Sequence, residues 1–128
     1  FDETADFQTV KINSSYNGKT AKTTVIPLGF GKFNKTEYTL AQFNIETGRT
    51  HQIRAQSSFH GYPLLGDTAY GGLKIQETEY FLHAFEMIFP ENNELNLPPS
   101  LKAPVPKLFF NFLKSTMHDY EKCIILKV

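Results

Sequence analysis

The run Glu46-Thr47-Gly48-Arg49-Thr50-His51-Gln52-Ile53-Arg54 decides how this chain is read, and it is followed by Gly61-Tyr62-Pro63-Leu64-Leu65-Gly66-Asp67 and Tyr70-Gly71-Gly72. A glycine turn hands over to a short helix. Thr50 is predicted as its N-cap, because a threonine hydroxyl can accept an orphan amide of the first turn. The helix is predicted to run through His60, with Gly61 as the left-handed residue that closes its C-terminus. Four-residue spacing lines up Thr50, Arg54 and Ser58, and His51 shares the side of Arg54. The polar side of this helix therefore carries the chemistry. Two arginines, a histidine and a glutamine around a helix start suit an anion, and a phosphodiester is the obvious one.

Outward from that run, the pattern is mostly that of strands. Phe7, Val10 and Ile12 precede a turn predicted over Asn13 to Gly18, ending in an Asn-Gly pair. Thr23-Thr24-Val25-Ile26 is β-branched and reads as a second strand, stopped by Pro27 and the glycines at 29 and 31. In a third strand, from Tyr38 to Ile45, Ala41, Phe43 and Ile45 share one face while Gln42 and Asn44 share the other. Phe85, Met87 and Phe89 alternate with Glu86 and Ile88 as in a mostly buried strand, and Pro90 to Asn96 is predicted to turn the chain into Leu95 and Leu97. Pro106 is expected as the first residue of a helix whose Leu108, Phe109, Phe112 and Leu113 repeat at helical spacing. The tail Cys123-Ile124-Ile125-Leu126 either closes the sheet or forms an exposed end. The fold class expected is α+β, a mostly antiparallel mixed sheet with a few short helices.

Composition narrows the function. The 128 residues suffice for one domain with a core. Thirteen basic and thirteen acidic side chains cancel, so attraction to a polyanion has to come from a local patch rather than from a global field. A single cysteine excludes an internal disulfide framework and fits a reducing compartment, which gives a cytoplasmic expectation. The sequence has no apolar run long enough to span a bilayer, so no membrane partner is expected, and the opening residues do not resemble a signal peptide. The histidines at 51, 60, 83 and 118 lack metal-site spacing, and no metal is expected. No P-loop, nucleophile elbow or dinucleotide fingerprint occurs.

Each candidate residue has a plainer alternative. Arg54 offers a permanent charge and a planar fork that can orient a carboxylate or phosphate, or it is a surface arginine on a helix. Asp67 could serve general acid or base chemistry, but an aspartate in a glycine-rich segment more often caps a turn. An unrelated hydrolase using Asp67 and His83 is the weakest of the readings considered.

The motifs taken together resemble the RluA-type pseudouridine synthases. The resemblance rests on Thr47 to Arg54, Gly61 to Asp67 and Tyr70-Gly71, joined by Gly18-Lys19-Thr20-Ala21-Lys22-Thr23, Leu82-His83-Ala84 and Ala103-Pro104-Val105-Pro106. These landmarks stand in the family's order from about residue 18 to 113. The resemblance implies isomerisation of uridine in structured RNA, ribosomal or transfer, without metal or organic cofactor. It matches Arg54 to the arginine that orients the catalytic aspartate and Leu65 to the apolar residue beside that site, and it sets Lys22, Arg49, His51 and Gln52 on the RNA-facing side. The family's His-Arg-Leu-Asp element and its upstream tyrosine are missing. Residues 1–128 are therefore expected to be a single partial domain, the C-terminal part of the catalytic domain, inactive alone and with a longer parent expected from the lack of an initiator methionine. The alternative is a non-catalytic RNA-binding remnant of that fold. A partial sheet would leave edges that could pair in a dimer.

Overall fold

The computed structural model describes residues 10–16, 19–75 and 80–117, with backbone only for 10–16. Three antiparallel strands, β1 (Val10–Tyr16), β2 (Lys19–Phe33) and β3 (Thr36–Ile45), form one sheet in sequential order, and β4 (Glu86–Ile88) pairs with β5 (Ser100–Lys102) in a second. Two helices, α1 (Gln52–Phe59) and α2 (Lys107–Thr116), complete an α+β architecture. Phe7, the Asn17-Gly18 turn, His118 and the Cys123 to Leu126 tail lie outside the described residues.

The first turn starts later than expected, because β1 continues through Tyr16 and pairs it with Lys19. Pro27 and Gly29 do not end the second strand. β2 runs on past them because the ladder shifts at this point: Pro27 stands opposite Ala41, Gly29 opposite Leu40, and Leu28 is the extra residue of a bulge. A bulge is where a strand tolerates a residue that cannot donate to the ladder.

The bulge also changes which face of β2 is turned inward. Directly opposed residues share a face, so Thr23 and Val25 stand with Ile45 and Phe43. Beyond Leu28, Gly29 and Gly31 stand with Leu40 and Tyr38, which lie on the other face of β3. The first face receives α1. The second receives α2, around a core of Leu40, Leu113 and Met117 flanked by Leu28, Tyr38 and Phe109. Phe112 meets Phe33 at 5.3 Å, Tyr38 at 5.6 Å and Phe81 at 4.7 Å between ring centroids, within the range where aromatic pairs attract. Tyr38 keeps its hydroxyl satisfied 2.6 Å from Thr116 Oγ1.

Helix α2 follows its predicted apolar spacing, except that Pro106 is the N-cap rather than the first helical residue and Leu108 is exposed. The prediction for 85–97 fails in part. Met87 is 60 % and Ile88 75 % exposed, so the alternating stretch is a short open hairpin arm instead of a buried strand. Leu95 and Leu97 stay in the connection, which Asn93 ties together by donating to the Pro90 and Leu97 carbonyls and accepting from Leu97 N.

Candidate functional site: an arginine clamp beside an open hollow

Helix α1 has two polar stripes with different duties. Gln52 and Gln56, one turn apart, point into β2. Gln52 Nε2 donates to the Lys22 carbonyl at 3.0 Å and to Thr23 Oγ1 at 2.8 Å, while its Oε1 accepts from Thr47 Oγ1 and from Arg49 N. Gln56 accepts the Thr23 hydroxyl at 2.5 Å and donates to the Ala21 carbonyl at 3.2 Å. The expectation of Gln52 on the RNA-facing side is not met. It is only 6 % exposed, because its amide satisfies backbone groups left over where β2 meets the turn before α1.

The helix start differs from the expected one in a related way. Thr50 does not cap it; His51 holds the N-cap position in the left-handed region, φ 51°, with no side-chain cap bond. The other end is as predicted. Gly61, φ 85°, donates to the Ser58 carbonyl and Tyr62 N to the Ser57 carbonyl, the paired bonds of a Schellman closure.

Arg54 and Ser58 form the second stripe, with His51 at its N-terminal end, and this stripe faces the segment from Gly61 to Gly72. Ser58 Oγ donates to the Tyr70 carbonyl at 2.6 Å, and His51 Nδ1 lies 2.9 Å from the Tyr70 hydroxyl. Arg54 meets Asp67 side-on: Nε donates to Oδ2 at 2.9 Å and Nη2 to Oδ1 at 2.8 Å. The Arg54 side chain is 12 % and the Asp67 side chain 1 % exposed. The guanidinium carbon lies 4.9 Å from the Tyr70 ring centroid and 4.2 Å from that of Tyr80, close enough for cation–π attraction to both. Hydrogen bonding to Asp67 raises the Arg54 pKa further above its already high ordinary value, so its charge is fixed at every working pH.

Asp67 does not cap the short 3-10 turn of Thr68–Tyr70 with its side chain, the role its setting suggested. Its backbone carbonyl accepts from Tyr70 N and Gly72 N instead, leaving the carboxylate free for the arginine. A Cβ at residue 72 would collide with the Leu64 carbonyl and press on Asp67, so only glycine lets the loop close this tightly. Gly66 N donates to the Leu73 carbonyl and Phe81 N to the Leu65 carbonyl, and the second bond brings Tyr80 beside Arg54. An open hollow of about 340 Å³ results, lined by Arg54, Gly66, Asp67, Thr68, Ala69, Lys74 and Tyr80.

The other sequence candidates fall at varying distances from this hollow. Leu65 is half-buried next to Gly66 but does not line it. Arg49 uses its Nε to hold the Thr20 carbonyl at 2.9 Å, which ties the turn to β2. Lys22 is exposed on β2 beside that anchor, and His51 is exposed above Tyr70. His83 bonds the Ala103 carbonyl and stands apart from Asp67, so the two do not form a hydrolytic pair. Among the described residues no group of three or more His, Cys, Asp or Glu side chains could hold a metal ion. Nor, among those residues, is any helix long and apolar enough to cross a membrane. Sequence reasoning missed Tyr80 and Lys74, which belong to no motif, and it missed Asp67 as the partner of Arg54.

Comparison with known proteins agrees with the resemblance read from the motifs. The chain is 37 % identical over 84 residues to the uncharacterized RNA pseudouridine synthase YjbO of Bacillus subtilis, covering 64 % of this chain and 29 % of that protein. It is 35 % identical over 92 residues to the RNA pseudouridylate synthase domain-containing protein 1 of Danio rerio, covering 70 % and 30 %. A shorter match of 36 residues reaches 61 % identity with the ribosomal large subunit pseudouridine synthase D of Vibrio parahaemolyticus, covering 28 % and 11 %. The chain thus spans less than a third of the length of these relatives. No family model and no solved structure matches it.

Proposed function

We propose that this chain, a relative of the RluA-type RNA pseudouridine synthases, supplies the arginine-bearing part of an enzyme that converts uridine to pseudouridine in structured RNA of the ribosomal or transfer class. The reaction breaks the N1 glycosidic bond, turns the uracil and rejoins C5 to the ribose, with the C5 proton lost and N1 left protonated. It needs a carboxylate held in one orientation against the target nucleotide, which must first leave its stack to be reached. Arg54 is the group suited to steady that carboxylate, and the observation carrying this reading is its side-on pairing with Asp67. A guanidinium has two bidentate edges. Asp67 takes the Nε/Nη2 edge, and among the described residues the Nη1 end has no acceptor. That end is available to a second carboxylate or to the substrate.

Asp67 itself is a poor nucleophile, because it is buried and both its oxygens are committed to the arginine. The sequence holds no His-Arg-Leu-Asp run, so on this reading the attacking aspartate comes from polypeptide outside these 128 residues. Lys22, Arg49 and His51 lie on the exposed side of the β2/α1 junction and would grip phosphates, which position an RNA without specifying its bases. Residues 1–128 are then the later part of one catalytic domain, working in the cytoplasm. The outer strands β1 and β3, which have no further strand partner among the described residues, are where the rest of the parent sheet or a second copy would pair.

The test is pseudouridine formation in ribosomal and transfer RNA transcripts by the gene product that carries this chain, with and without Arg54→Ala. Loss of a transition-state contact of this kind costs roughly a hundredfold or more in rate. Equal rates for both proteins remove Arg54 from the reaction. RNA binding without any pseudouridine formation by the unsubstituted protein supports a non-catalytic binder instead.

A further inference from the structure

The geometry points to Asp67, assisted by Tyr80, as a positioning residue for the proposed reaction: it holds Arg54 side-on so that the opposite end of the guanidinium is presented at the hollow in a fixed orientation. The inference rests on the reading above. It adds a residue that no motif assigned to the chemistry and a reason for the fold of the loop from Gly61 to Gly72.

An arginine on a short helix has four rotatable bonds and, left alone, samples many orientations. Here three side chains restrict the guanidinium. The two Asp67 oxygens fix the plane and edge of the fork, since a bidentate pair constrains both. The rings of Tyr80 and Tyr70 lie against it. Tyr70 is itself held at both ends, by His51 at its hydroxyl and by Ser58 at its carbonyl.

Asp67 can do this only because its loop is built around it. Its carbonyl is consumed by two amides, its neighbour Gly66 is tied to Leu73, and Gly72 leaves the space. A surface ion pair would need none of these supports, and would contribute little. The pairing also sets the local charge. Asp67 cancels the positive charge of the arginine, so the net cation at the hollow is Lys74, an exposed group on its rim. An incoming carboxylate therefore meets directed donors on Arg54 without the cost of stripping water from an unpaired buried cation.

The test is a two-by-two cycle of Asp67→Asn and Arg54→Ala in the gene product that carries this chain, read by kcat and KM for pseudouridine formation and by thermal melting. Asparagine keeps the size of the side chain and one acceptor oxygen but removes the charge and one arm of the fork. The expected result is a fall in kcat of about tenfold or more with KM for the RNA changed less than about twofold. In the Arg54→Ala background, Asp67→Asn should lower kcat no further, because the group it positions is gone. The same double variant should melt above Arg54→Ala alone, since the buried carboxylate no longer stands unpaired.

Tyr80→Leu provides a second route should Asp67→Asn fold poorly, with a severalfold loss of kcat at unchanged KM expected. An active parent whose kcat stays within twofold in Asp67→Asn overturns the positioning role and leaves the proposed activity standing. So does a kcat loss of equal size in the presence and absence of Arg54. A parent that forms no pseudouridine overturns the activity and this role together.

Discussion

The two helices dock on opposite faces of the same three-stranded sheet by opposite means. Helix α2 is held chiefly by apolar and aromatic contact, through Leu113, Phe109 and Phe112 against Leu40, Leu28, Tyr38 and Phe33, with a hydrogen bond between the Tyr38 and Thr116 hydroxyls near its end. Helix α1 is held by amides, through Gln52 and Gln56 on Lys22, Thr23 and Ala21. Apolar burial is strong but non-directional, and supplies cohesion without fixing where a helix sits along its groove. Hydrogen bonds contribute less each and fix position, since they fail outside narrow limits of distance and angle. The helix that carries Arg54 is the one positioned chiefly by hydrogen bonds, and the helix with no candidate site residue is the one that builds the apolar core.

If this division is real, stability and activity should come apart on substitution. Leu113→Ala opens a cavity in the α2 face and should cost about 2–5 kcal/mol of stability by chemical denaturation, while the protein that remains folded keeps its KM and kcat. A loss of kcat larger than the loss of folded protein would show that the two faces are coupled. Gln56→Leu should cost less, about 1–3 kcal/mol, for taking the acceptor from the Thr23 hydroxyl proton and a donor from the Ala21 carbonyl in a buried setting. Its kcat should nevertheless fall more than that of Leu113→Ala, because α1 is then free to shift under Arg54. Adding Thr23→Val removes the stranded hydroxyl but also takes an acceptor from the buried Gln52 Nε2, so it should recover neither stability nor kcat.

The smallest expected effect is at the far end of the same helix. Gly61→Ala places a side chain at φ 85° and should lower stability by about 1 kcal/mol. Pseudouridine formation should stay within twofold, since Gly61 lies beyond Ser58, the last residue of α1 on the stripe that faces the site, and does not itself line the hollow.

Much of this is legible in the sequence where one residue type has one physical reason to be present. The closing glycine at 61, the third strand, the apolar period of α2 and the crowding of polar groups toward Arg54 all follow from spacing. The failures have a common form, in which a distant partner outweighs a local rule. Pro27 should end a strand, but the bulge at Leu28 gives it a position needing no donor. Burial alternates along β2 from Ala21 to Gly29 as though a single face were covered, although the inward side changes at the bulge. Gln52 has the composition of an exposed recognition residue and is turned inward by a carbonyl thirty residues earlier in the chain. The β4 stretch has the alternation of a core strand, but among the described residues it has only the short β5 beside it. Asp67 reads from its neighbours as a turn residue, while its partner lies thirteen positions away on a helix.

Position 72 shows how far such indirect demands extend. The residue there contributes no charge or ring to the site, yet any side chain would strike the main chain of Leu64 and Asp67. In a library carrying every amino acid at every position, residue 72 should therefore be among the least forgiving, and a count of surviving variants would rank it beside the ion pair it surrounds. A locus with no reactive atom would be mistaken for a chemical participant by anyone judging importance from tolerance alone.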